Sequence, residues 1–304
     1  MNKEQTPAPS RVRVPLGPVP WASGSHEIVH VGQSALLLAR PAGAAGGDLL
    51  PVTSRARGLV PGGLCIPNEQ EFARLVRAVT HAGHAEFSHW QAVPPADVTV
   101  VGLRVRPQVV QPEAVAELVR LAAGDAPART VSRLMDPRPL RQLAGPLTRA
   151  ALRCETTQLG LLLQRLVGAG PGATPTGDDV IVGVLAALHA AEGSAAPRQR
   201  ATAARERLSA AVLPLLPRTT RASRHDLTAA AHGVFGEHVH ALLAALVDAT
   251  RVPATFASAT GWGATSGVDL ACGLAVSAST ALRHRQLIKR RPVSSTDTTD
   301  RRSA

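Results

Sequence analysis

The sequence contains no tyrosine, and three Trp and four Phe are its only aromatics in 304 residues. Its core must therefore be filled by Ala, Val and Leu, whose small and branched side chains let helices approach closely. Bases would find little to stack on. Cysteine is almost as scarce: Cys65, Cys154 and Cys272 stand far apart with no Cys-x-x-Cys pair. That excludes a disulfide framework and a zinc knuckle, and it fits a reducing compartment. No apolar run reaches the length of a membrane span. The opening "MNKEQTPAPSRVRVPLGPVP" lacks the apolar stretch of a signal peptide. The expectation is a cytoplasmic protein without a membrane segment.

The formal net charge is +11, but it is unevenly spread. Residues 283–304 carry +5 and residues 1–20 carry +2, which leaves +4 for the 262 residues between them. A basic excess confined to Pro-rich and Ser/Thr-rich ends reads as solvated, disordered tails rather than a nucleic-acid surface.

Short runs bounded by Gly and Pro, "HEIVHVGQSALLLAR", "LLPVTSR", "GLVPGGLCIP" and "VTVVGLRVRP", predict strands. Between them, residues 68–83 predict an amphipathic helix that Asn68 caps and Gly83 stops. After Pro112 the texture becomes helical, with helices expected over 147–167, 177–191, 197–213, 222–232, 236–249 and 265–287. The fold class is α+β, strand-rich in the N-terminal third and mostly α-helical beyond it. The divisions are a tail at 1–20, a strand-rich α/β region at 21–110, a helix and linker at 111–145, an α-helical domain at 146–287 and a basic tail at 288–304.

One stretch exceeds ordinary structure. "GAGPGATPTGDD", residues 168–179, opens the apolar run "VIVGVLAALHAA". Thr176 and Asp179 have the spacing of a capping box, which needs one acid and leaves Asp178 over. Gly168, Gly170, Gly172 and Gly177 lie within ten residues, a density that implies positive φ angles or backbone close to something else. Ninety positions on, "GWGATSGVDLACGLAVSAS" repeats the pattern: Ser266-Gly267-Val268-Asp269 lies over Thr176-Gly177-Asp178-Asp179, and Gly273 over Gly183. Two helices with like beginnings should pack side by side with their N-termini at the same end and Gly183 and Gly273 near the contact. Paired N-termini would form a pocket for a phosphate or carboxylate. Asp178 is the expected catalytic group; it should face a cleft while Asp179 and Asp269 fold back onto their own caps. It would accept hydrogen bonds from a substrate NH₂ or ammonium, or hold Mg²⁺ or Mn²⁺. Gly170, Gly172, Thr174, Thr176, Gly177, Asp179, Thr265, Ser266, Gly267 and Asp269 would line the pocket. Arg218, with Arg221, Arg224 and His225, would supply positive charge; that same stretch also reads as a charged helix start capped by Ser223.

These blocks, Gly168–Gly183, Thr219–Glu237 and Gly263–Leu274, resemble a bacterial domain family whose AllH branch is a subunit of oxamate carbamoyltransferase. Ala173 stands where that family has Leu, Thr176 where it has Ser, and Ala264 where it often has His. The resemblance implies a subunit of a carbamoyltransferase-like enzyme acting on small anionic amides, with carbamoyl phosphate as donor and other carbamoyltransferase subunits as partners in a heteromer. The alternative is a non-catalytic partner or regulatory module that binds a small anion and docks on an acyl-CoA-synthetase-like large subunit.

Overall fold

The computed structural model describes residues 11–15, 25–32, 35–39, 49–86, 97–106, 108–124, 136–191 and 198–290. The expected tails at 1–20 and 288–304 lie largely outside these residues. Their inner ends do not behave as tails. Arg11–Pro15 is strand β1, with Val12 and Val14 fully buried, because alternate valines between arginines suit a half-buried strand. The last helix likewise runs on to Arg290.

Seven strands form one mixed sheet: β1 (Arg11–Pro15), β2 (Ser25–Val31), β3 (Ala35–Ala39), β4 (Leu49–Ser54), β5 (Leu64–Ile66), β6 (His84–Glu86) and β7 (Asp97–Val101), in the order β6-β2-β3-β4-β5-β1-β7. β2 and β3 form the antiparallel hairpin that Gly32 divides. β4 pairs antiparallel with β3 and parallel with β5, and β1 pairs antiparallel with β5 and parallel with β7. Every residue of β4 is buried, as in a strand covered on both faces. Helix α1 (Glu69–Ala82) covers one face through Phe72, Leu75 and Val79. As its sequence predicts, the Asn68 side chain accepts from the Gln70 and Glu71 amides, and Gly83 ends it at φ 75°.

The rest is helical: α2 (Pro112–Gly124), α3 (Arg138–Arg141), α4 (Ala144–Arg153), α5 (Thr156–Leu166), α6 (Thr176–Ala191), α7 (Arg198–Val212), α8 (Arg221–Ala231), α9 (Glu237–Ala245), α10 (Val252–Thr260) and α11 (Ser266–Arg290), with 3₁₀ turns at Leu213–Arg218 and Ala249–Arg251. The helix expected over 147–167 is two helices, α4 and α5, broken where Cys154 takes a left-handed φ of 62°. No Gly or Pro marks that break, so the sequence offered no punctuation to read. α10 was not anticipated. Its Pro253 sits in the first turn, where a missing N–H costs nothing. α6 is buried from Thr176 to Ala190, an all-round apolar helix at the centre of the bundle.

The sheet and the bundle are stitched by the segment after α8. Val105 and Gly233, and Phe235 and Leu103, share backbone hydrogen bonds of 2.9 Å. The Glu237 carboxylate accepts from the Leu59 amide (2.8 Å) and from Arg13 Nη1 (2.9 Å). Among the described residues, no helix is long and apolar enough to cross a membrane. All three cysteines are free.

Candidate functional site

The glycine-rich approaches to α6 and α11 share one backbone plan. At the end of α5 the Ala169 amide donates to the Leu166 carbonyl, and the Gly177 amide donates back to Ala169. At the end of α10 the Trp262 amide donates to Ala259, and the Gly267 amide donates back to Trp262. A Cβ on Gly177 would lie 2.0 Å from the Leu166 oxygen, and one on Gly267 2.0 Å from the Ala259 oxygen. Only glycine admits that approach. Gly170 (φ 120°) curls over Thr176 as Gly263 (φ 71°) curls over Ser266. The first loop is longer by Pro171, Gly172 and Ala173 (Gly172 has φ 99°), and it reaches out to solvent.

The two helices then cross at glycine. A Cβ on Gly183 would lie 2.2 Å from the Leu270 oxygen, and one on Gly273 2.4 Å from the Val180 oxygen. The contact is unchanged by exchanging 180 with 270 and 183 with 273, so it is a local two-fold. Both N-termini lie at the same end, joined by Thr174 Oγ1 and Ser266 Oγ at 2.7 Å and by Thr176 Oγ1 donating to Asp269 Oδ2 at 2.9 Å. This is the juxtaposition the ninety-residue echo predicts.

The carboxylates differ from expectation. Asp178 does not face a cleft. It is buried, its Oδ1 accepts from the Gly168 amide at 2.9 Å, and its Oδ2 accepts from the Thr219 hydroxyl. It staples the first loop to the start of α8, and burial raises its pKa although hydrogen bonds from Thr219, Gly168 and Ser223 oppose the rise. Neither acid of the two capping boxes folds back on its own helix. Thr176 reaches across to Asp269, and Arg141 Nε donates to Asp269 Oδ1 at 2.6 Å in a buried ion pair. The amides that the two hydroxyls would cap are already satisfied, Asp179 by Pro175 and Asp269 by Thr265, and so are those of Gly177 by Ala169, Asp178 by Pro175 and Gly267 by Trp262. Those amides are engaged within the protein, and three aspartates gather at the paired N-termini.

Asp179 is the acid left over. It is 5% exposed, and its Oδ2 has no hydrogen-bond partner. Burial pushes its pKa well above the ordinary 3.8, Asp269, Asp226 and Asp178 push it further, and the Ser266 hydroxyl opposes them. Asp226 acts on it and Arg57 acts on Asp226 in turn, two groups the sequence did not single out. Asp226, half-buried on α8, is raised by burial and lowered by His225 and Arg57. Arg57, from the turn after β4, stands over the Trp262 ring at 4.4 Å. His238 stacks on the same indole, centroids 4.3 Å apart, and burial holds its pKa down to about 3. Trp262 Nε1 and both His238 ring nitrogens are buried without a partner. Unpaired polar atoms this dense are costly in a finished core and mark a place where a ligand or water completes the set.

The remaining expected residues fall as follows. Gly170, Gly172, Thr174, Thr176, Gly177, Thr265, Ser266, Gly267 and Asp269 all belong to the two loops and the first turns of α6 and α11. Arg218 does not join them: its exposed guanidinium donates to the Gln164 carbonyl at 3.2 Å, facing away along α5. Thr220, not Ser223, caps α8 by accepting from the Ser223 amide. Among the described residues no group of three or more His, Cys, Asp or Glu is arranged to hold a metal ion, so nothing here assigns Mg²⁺ or Mn²⁺ a place.

Fold and site together define an α+β protein with two related loop–helix units meeting at a buried acidic cluster. Residues 166–278, a little over a third of the chain, match the family model described as oxamate carbamoyltransferase subunit AllH. The match starts at the Leu166 whose carbonyl receives Gly177, and it spans both loops. Neither the curated proteins nor the solved structures give a match.

Proposed function

We propose that the chain is a subunit of a carbamoyltransferase-like enzyme acting on small anionic amides, and that its ligand lies between the loop–helix pair and the sheet. The observation that carries this reading is that the family match falls on the segment that builds the cluster of unpartnered polar groups.

In carbamoyl transfer to oxamate, the amide nitrogen bonds to the carbonyl carbon of carbamoyl phosphate. The C–O bond to phosphate then breaks, and the nitrogen gives up a proton. The site needs a cation for the anionic end, acceptors for N–H groups and an acid–base group. Arg57, held on the Trp262 face, suits the first need. The carboxyls suit the second. Asp226, largely buried and with its pKa raised by that burial, is a better proton acceptor near neutrality than an ordinary aspartate. Catalysis then belongs to the Asp226 side of the cluster, and Asp178 holds the loop. The family's name as a subunit points to other carbamoyltransferase subunits as partners.

The test is phosphate release from carbamoyl phosphate and oxamate by the chain with its co-purifying partners. Turnover that Asp226→Asn abolishes while the assembly persists supports the reading. Turnover unchanged by Asp226→Asn, or none in any assembly, removes it.

A further inference from the structure

We propose that Asp179 recognises the ligand through a planar N–H donor group, such as a carboxamide, ureido or guanidinium group. That group would occupy the place the Arg141 guanidinium holds for Asp269. The inference rests on reading the cluster as the ligand site, and it assigns that site its hydrogen-bonding polarity.

The local two-fold makes Asp179 and Asp269 counterparts. Each starts its helix at the same step: the Asp179 amide donates to Pro175, and the Asp269 amide to Thr265. Each meets a hydroxyl from the opposite helix start, Thr176 for Asp269 and Ser266 for Asp179. Asp269 is completed by the Arg141 guanidinium at 2.6 Å. Asp179 has no such completion, and its Oδ2 is buried without a partner. The groups that act on it are Asp269 from α11, Asp226 from α8, Asp178 from its own helix and the Ser266 hydroxyl; Arg141 of α3 is engaged by Asp269. Three of these are carboxyls. An anion is therefore repelled there, whereas an N–H donor is what the open Oδ2 accepts best, as Asp269 Oδ1 accepts Arg141 Nε.

The probes are oxamate and pyruvate, which carry the same charge and differ by NH₂ against CH₃. Titration calorimetry on the full chain is expected to show oxamate binding at least about tenfold tighter. Asp179→Leu should abolish that preference without weakening pyruvate. Binding of oxamate should also release protons in wild type and not in the variant, because N–H donors favour the ionised carboxyl. A carboxyl with a merely structural role moves neither readout. Equal affinities, or a preference surviving in Asp179→Leu, overturn the proposal. Should neither anion bind, methylguanidinium is the third probe. A thermal upshift lost in Asp179→Leu keeps the inference and removes the oxamate reading. No Asp179-dependent response to any of the three probes overturns the inference itself.

Discussion

The unit built from α5, its glycine loop and α6 and the unit built from α10, its loop and α11 use the same backbone hydrogen bonds, the same close glycines and the same hydroxyl and acid. They differ in what completes the acid. In the second unit Arg141 neutralises Asp269 inside the protein. In the first, Asp179 is left with a buried, unpartnered oxygen, and Asp178, which the second unit replaces with Val268, is spent on tying down the longer loop. Symmetry here accounts for how the bundle is built. Departure from symmetry locates what the bundle has left for a ligand.

The largest effects should fall where the two units are alike. Gly183→Ala and Gly273→Ala place a Cβ 2.2 Å and 2.4 Å from a carbonyl oxygen of the facing helix. Backbone cannot yield as a flexible side chain can, so each should cost about 3 kcal/mol or more. Urea denaturation checks this. A variant that loses less than about 1 kcal/mol would show that the helices can separate at the crossing, and the two-fold contact would cease to be what holds the bundle.

Next comes the ion pair that only one unit has. Arg141→Met leaves Asp269 buried beside Thr176 alone, and should destabilise by about 3–5 kcal/mol. Adding Asp269→Asn should recover much of that loss, because the stranded charge disappears with its partner. Equal losses in the single and double variants would mean that Arg141 acts by packing its stem rather than by pairing.

The legible part of the molecule follows from the same comparison. Glycine spacing, the repeated hydroxyl–Gly–x–Asp and Gly183/Gly273 are local patterns, and they suffice to place α6 and α11 side by side. What each acid touches is not local. Arg141 lies 128 residues from Asp269, on a four-residue helix whose Pro- and Arg-rich surroundings read as a connection. Arg57 and Trp262 meet only because the turn after β4 reaches the α10–α11 loop. Asp179 departs from the capping box because Ala169 and Pro175 satisfy the first amides of α6 from within the loop. Trp262 stands between Gly261 and Gly263, and a rare aromatic framed by glycines was the one local hint of the stacked site.

A smaller effect should separate Asp179 from its neighbours through pH. Its folded-state pKa lies well above the ordinary 3.8, so its contribution is full below that value and is lost as pH rises through the raised folded value. Asp178 and Asp226 shift in the same direction. Wild-type stability should therefore fall as pH rises above about 4, in step with these groups. Asp179→Asn should flatten much of that fall and stabilise the protein by about 1–3 kcal/mol near neutrality. Asp178→Asn should instead destabilise, since a carboxamide keeps only one of the two acceptor oxygens that Gly168 and Thr219 use. Denaturation curves for the two variants at several pH values should thus move in opposite directions, and parallel losses would return Asp179 to a structural role like that of Asp178.

The smallest effect concerns two arginines. The sequence places Arg218 at the anion, and the structure turns it outward onto the Gln164 carbonyl; Arg57, which carries no motif, stands on the Trp262 ring beside Asp226. An exposed guanidinium held by one carbonyl contributes little, so Arg218→Ala should change stability by no more than about 0.5 kcal/mol and leave carboxylate binding unchanged. Arg57→Ala removes the cation from the indole face and should weaken oxamate and pyruvate alike by about tenfold, because both present the same carboxylate. The amide preference, set at Asp179, should survive in both variants. If Arg218→Ala weakens the anions and Arg57→Ala does not, the carboxylate lies along α5 instead. The ligand would then lie outside the asymmetric acids altogether.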